Sequence, residues 1–181
     1  CHDFGVKGWR VETFPNYGPQ FPSMYVAARL MWDHTLDVDA LLEDVFEKFF
    51  GPARAPMGEY IRRMDAALRD GDHTTGSAWD MPHFYPPSLR REMRALLDTG
   101  LKQADGKGVY ADRVRMIVNS FDMTEAFCEM LEARAALDFK GAKAAMDRGD
   151  ASAQRLMEMK PVPMLSAGRH STYVNYMNRF Y

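Results

Sequence analysis

Cysteine is scarce. Cys1 and Cys128 are the two in the chain, and so few exclude a disulfide framework and a thiolate metal cluster. Cys128 stands in "EAFCEMLEARAAL", a helical pattern in which a small buried apolar residue is the ordinary reading. Charge of one sign is lacking too. With 23 Lys and Arg against 25 Asp and Glu, the formal net charge is −2, which removes the electrostatic ground for nucleic acid or an anionic membrane as a partner. The pairs Arg62-Arg63 and Arg90-Arg91 lie beside acids in helical patterns and read as solvated faces rather than phosphate sites. No apolar run approaches the ~18 residues of a membrane span, and no charged, apolar and small-residue leader is visible at Cys1.

Catalytic signatures are equally sparse. There is no phosphate-cradling glycine loop, no GxSxG and no CxxC. His2, His34, His73, His83 and His170 do not recur at metal-ligand spacing, so neither a metal nor another cofactor is expected. What the chain does have is apolar substance. At 181 residues and 46% hydrophobic, it can bury a sizeable core as one domain, or one and a part.

The first twenty residues are rich in Gly, Pro and aromatics, and helical period dominates from about Phe21 onward. "GVKGWRVET", residues 5 to 13, has the chemistry of a helix that stops on a left-handed glycine and turns into a strand. Only four residues precede it, whereas isolated helices shorter than about 12 residues are marginal in water. It therefore reads as the end of an element that begins upstream, against the alternative of a loose N-terminal coil.

Pro22 marks a helix start, and Met24, Ala27, Ala28, Met31 and Trp32 share a face that predicts heavy burial. Asp37 caps a second helix, with Val38, Leu41, Leu42, Val45, Phe46 and Phe49 inward and Glu43 and Glu47 outward beside Lys48. Gly51-Pro52 ends it, and a third helix to about Arg69 turns Met57, Tyr60, Ile61, Met64 and Leu68 inward. The two form an antiparallel hairpin with a tight corner. Residues 72 to 87 read as a long loop suited to binding. Ser88 then caps a helix carrying Leu89, Met93, Leu96, Leu97 and Leu101, and the longest helix runs from about Val109 to Leu137. Two shorter Ala-rich helices broken at Gly149-Asp150 follow, then an aromatic tail that docks on the body or on a partner surface rather than floating. No fixed repeat period is present, which argues against a solenoid.

Glu12 would lie at the far end of a short strand, Gly8 to Thr13, where parallel barrels expose functional side chains. It is as readily an acid satisfied by an Arg or a backbone amide. Phe14, Asn16 and Tyr17 follow in the same segment and suit a sugar ring with flat apolar faces and amide or hydroxyl groups. Trp9 and Tyr25 fit core better. His83, in "WDMPHFYPP", is a further candidate substrate contact, against the alternative of a structural or exposed histidine. Glycoside hydrolysis ordinarily needs two carboxylates flanking one bond. Here a single acid sits at a strand end, so the chain alone cannot display the pair.

The segment "YVAARLMWDHTLDVDALLEDVFEKFFGPARAPMGEYIRRMDAAL" resembles the DUF4838 family. Leu30, Trp32, Asp33, Asp37, Leu41, Phe49, Phe50, Gly51, Pro52, Ala53, Met57 and Tyr60 carry the likeness, and "GVKGWRVET" matches that family's glycine-x-x-glycine-x-x-x-glutamate stretch. Residues 5 to 70 hold the specific part. The family resembles glycoside hydrolases of the α-glucuronidase type, with an accessory domain, a (β/α)8 barrel and a C-terminal helical region. The resemblance implies a mainly α chain: residues 1–20 as the last αβ turn and strand of the catalytic barrel, the barrel otherwise absent, and residues 21–181 as the helical domain. It also implies a carbohydrate substrate, the rest of the barrel as partner, an extracytoplasmic location, periplasmic or secreted, and an inactive isolated chain. Glu12 matches the family's glutamate at the substrate end of the barrel, with its role undefined. The competing expectation is a non-catalytic helical interaction module, and a homo-oligomer stays open under both.

Overall fold

The computed structural model describes residues 5, 8, 17–71, 78–160 and 164–165. Among them the architecture is helical, without a strand. Seven α-helices follow one another: α1 Tyr17–Trp32, α2 Val38–Val45, α3 Arg54–Arg69, α4 Met81–Phe84, α5 Pro87–Ala104, α6 Val109–Ala135 and α7 Phe139–Glu158. The barrel strand expected over residues 8 to 13 lies outside the described residues apart from Gly8.

The longest helix, α6, is the axis of the molecule. Val114, Ile117, Phe121, Cys128 and Met130 are buried on it together with Met116, Met123 and Phe127, so apolar residues occupy most of its circumference. A helix apolar nearly all round must be covered on several sides, and α1, α4, α5 and α7 all pack against this one.

α1 begins at Tyr17, earlier than the sequence suggests, and Pro22 is inside it rather than at its start. The close approach of α1 to α6 explains the early start. A Cβ added to Gly18 would come within 2.6 Å of Ser120 Oγ, so glycine lets the first turn lie directly on α6. The expectation of heavy burial fails at the other end. Phe21 and Tyr25 pack on the core, whereas Met31 and Trp32 at the end of α1 are exposed.

Asp37 caps α2 as expected, its Oδ1 accepting from the Ala40 N–H at 2.8 Å. The helix then widens into a π turn, Phe46–Phe50, which buries Phe46 and Phe50 and frees carbonyls at its end. Arg113 Nη1 donates to the carbonyls of Lys48 and Phe49 at 3.1 Å each and lies 4.5 Å from the centre of the Phe49 ring, supplying the partners that a π end lacks. Phe21 stacks on Phe49 at 4.0 Å and meets Phe50 edge-on at 5.9 Å. Gly51 turns the corner with φ 52°, and a Cβ there would sit 2.8 Å from the Tyr110 ring. Lys48 pairs with Asp44 at 2.6 Å, while Glu43 and Glu47 pair with Arg62 and Arg54.

The expected hairpin is only partly realised. α2 and α3 meet near their corner, and α3 lies chiefly along α5. Met57 and Tyr60 are buried there, but Leu68 and Val38 are exposed. The extensive antiparallel pair is α6 with α7. α7 is one unbroken helix: Gly149, expected to break it, is buried in its interior along with Ala142, Ala145, Ser152, Ala153 and Leu156. Small residues recurring three and four apart form a smooth seam that lets the backbones approach. Asp138 starts α7 by accepting from the Gly141 N–H at 2.9 Å.

Residues 78–87 are not the open loop read from the sequence. Ala78–Asp80 and Met81–Phe84 form two short helical turns, and Phe84 and Tyr85 are buried. α5 starts on Pro87 behind Pro86, so Ser88 is not its cap. Of the tail, Leu165 is buried and the Met164 N–H donates to the Leu156 carbonyl at 2.9 Å, and the aromatic remainder from 166 lies outside the described residues.

Candidate functional site

Glu12, Phe14 and Asn16 lie outside the described residues. Tyr17 is the first residue of α1 rather than part of a loop. His83 is exposed on α4, which corrects its placement on an overhanging loop. Tyr25 lies against the core as expected, its hydroxyl accepting from Arg29 Nη1 at 2.9 Å. The polar constellations that the fold does assemble are built around α6.

The first is buried. Arg90, expected on a solvated face, is 5% exposed. Its Nη1 donates to the Tyr85 carbonyl at 3.0 Å and to Glu132 Oε1 at 2.8 Å, and its Nη2 donates to Glu132 Oε2 at 2.6 Å. Burial works against the guanidinium charge, and the two-point contact with Glu132 outweighs it and holds the group above its ordinary range. Cys128 lies beside Arg90. Burial pushes its thiol up to about 11, Arg90 opposing in part, so near neutrality it is a protonated core group rather than a nucleophile.

The second constellation is an open groove of about 480 Å3 between α6 and α7, faced by Asp122, Glu125, Glu129, Arg148 and Arg155. Arg94 of α5 donates to Asp122 at 2.7 Å and Glu125 at 2.6 Å. Arg155 of α7 reaches Asp122 at 3.1 Å and Asn119 at 2.8 Å, and Arg148 pairs with Glu129. Asp122, Glu125, Glu129 and Glu132 thus form an acidic stripe three and four residues apart on α6, met by arginines from both sides. The spacing is legible in the sequence. The arginines that answer it come from helices whose placement is not.

The third is a cavity of about 150 Å3 among α3, α4, α5 and α6. Met64, Met81, Met93, Ile117 and Phe121 give it apolar walls, and Tyr60, Tyr85, Ser120 and Thr124 add hydroxyls. Tyr60 is 3% exposed and meets Phe121 edge-on at 5.7 Å. Burial raises Tyr60 well above the ordinary phenol range and pushes Tyr85 up to about 12. Sequence periodicity marks Tyr60 and Met64 as inward-facing residues and gives no sign of the space between them and α6.

Among the described residues no group of His, Cys, Asp or Glu is arranged to hold a metal ion, and no helix is long and apolar enough to cross a membrane. Comparison with protein-family models, curated proteins and solved structures returns no match for this chain.

Proposed function

We propose that this chain is the C-terminal part of a glycoside hydrolase of the α-glucuronidase-like, DUF4838 type, and that its helical body is a scaffold for the barrel rather than a source of catalytic groups. The resemblance of residues 5 to 70 motivates this reading. The observation that carries it is Trp32, which is 94% exposed at the end of α1, next to Met31 at 58%. The following turn is pinned: Asp33 Oδ1 accepts from the Thr35 N–H at 3.0 Å and from its hydroxyl at 2.6 Å. A large aromatic side chain presented from a fixed helix end suits a docking contact with another body, here the barrel of the same protein.

The use of the carboxylates of α6 supports the scaffold role. Asp122, Glu125, Glu129 and Glu132 all engage arginines, an arrangement that holds helices together. Under this reading Glu12, with Phe14, Asn16 and Tyr17 beside it, serves the sugar-binding end of the barrel. The second reading, a non-catalytic helical module, draws on the same exposed Trp32.

Two variants of the full-length gene product separate them. Glu12→Gln is expected to reduce turnover of an aryl-glycoside and oligosaccharide panel, and unchanged turnover removes Glu12 from catalysis. Trp32→Ser is expected to lower the melting temperature of the full-length protein while changing the stability of the isolated helical chain by less than about 0.5 kcal/mol. A full-length protein without glycosidase activity on the panel, yet sensitive to Trp32→Ser, would favour the interaction module.

A further inference from the structure

We propose that the cavity among α3, α4, α5 and α6 is a binding site for a small uncharged phenol or aromatic alcohol, with Tyr60 donating a hydrogen bond to the ligand oxygen. The inference starts from one group. Tyr60 lines the cavity, is almost wholly buried, and among the described residues its hydroxyl makes no hydrogen bond. Buried hydroxyls are ordinarily paired, because losing water without gaining a partner is unfavourable. An acceptor inside the cavity supplies what the fold omits.

The remaining walls define that acceptor's carrier. Met64, Met81, Met93, Ile117 and Phe121 offer flat or pliable apolar contact, and thioethers adapt well to aromatic rings. A cavity of about 150 Å3 matches the size at which an apolar protein cavity takes up a benzene-sized guest. No charged side chain lines it among the described residues. Arg94, 5.1 Å from the Phe121 ring, is engaged by Asp122 and Glu125, and Arg90, which donates to the Tyr85 carbonyl, is engaged by Glu132, so an ion inside would go unpaired. A sugar fits poorly, because its many hydroxyls would face the methionines. A single hydroxyl fits well: Tyr60 donates to it, and Thr124 Oγ1, whose own hydrogen points to the Ser120 carbonyl at 3.4 Å, can accept from it. The tyrosine shifts agree with this, since both phenols keep their protons and act as donors near neutral pH. Met64 and Met81 are half-buried and form the movable side of the cavity.

The probes are phenol and benzene, titrated into the full chain with its methionine methyls labelled for NMR. Phenol is expected to shift Met64, Met81 and Met93 saturably, to leave the exposed Met31 unmoved, and to bind more tightly than benzene. Tyr60→Phe is expected to weaken phenol about tenfold while leaving benzene unchanged. The proposal is overturned by the absence of saturable shifts up to the solubility of phenol, by equal movement of Met31, or by Tyr60→Phe binding phenol as tightly as the parent. It is also overturned, with no variant needed, if the parent binds phenol no more tightly than benzene.

Discussion

Between α2 and α3 the corner is packed with phenylalanine, and α3 packs on the π turn that ends α2 rather than along α2 itself. Between α6 and α7 the corner consists of Ala136, Leu137 and Asp138 with little to bury, yet the helices behind it lie together along their length. The difference is one of side-chain size. Bulky rings at Phe46, Phe49 and Phe50 fill space locally and demand a π turn to fit. Ala142, Ala145, Gly149 and Ala153 leave little between backbones, so contact spreads over some 30 Å of helix. Aromatic size fixes a corner, and its absence fixes a seam.

The sharpest way to break the first arrangement is Phe50→Ala. Phe50 is wholly buried and touches Phe21 and Phe49 edge-on, so a loss of about 3 to 5 kcal/mol is expected from denaturant unfolding. A loss under about 1 kcal/mol would show that the rings do not hold the corner. The seam should fail in the opposite sense, by overfilling. Ala153→Leu, at a position with no exposure, is expected to cost about 1 to 3 kcal/mol, and a neutral result in the same assay would mean that α6 and α7 are less closely apposed than described. The smallest effect belongs to the second corner. Leu137 has φ 60° and is 75% exposed, a left-handed conformation that a branched side chain disfavours. Leu137→Gly is expected to gain roughly 0.5 to 1 kcal/mol, the relief of that strain less the added freedom of glycine in the unfolded chain; a loss instead would show that the exposed side chain contributes to the turn.

Much of the first region was legible in the sequence because its signals are local. The Asp37 cap, the inward Leu41, Val45 and Phe46, and the exit at Gly51 each act within a few residues. The seam was misread for the same reason. Gly149 and Asp150 are poor helix formers, and a local reading ends the helix there. Burial against α6 outweighs a propensity cost of about 1 kcal/mol. Arg90 shows the same limit with the opposite sign: beside Arg91 it looks solvated, and the partner that takes it inside, Glu132, is 42 residues away. The candidate cavity was half visible, since Tyr60 and Met64 were read as inward, but neither the missing partner of the Tyr60 hydroxyl nor the space before it is a property of α3 alone.

Sequence by itself determined the helical class, most of the helix boundaries and the inward turn of Met57, Tyr60, Met93 and Leu97, because backbone hydrogen bonding and the 3.6-residue period act over one or two turns. Tertiary structure decided that α7 runs unbroken, that Arg90 is buried, that α1 leaves Trp32 uncovered and that four helices leave a cavity beside Tyr60. Each of these depends on which surfaces meet across distant stretches of chain, and the burial gained or withheld there exceeds the local preferences that the sequence displays.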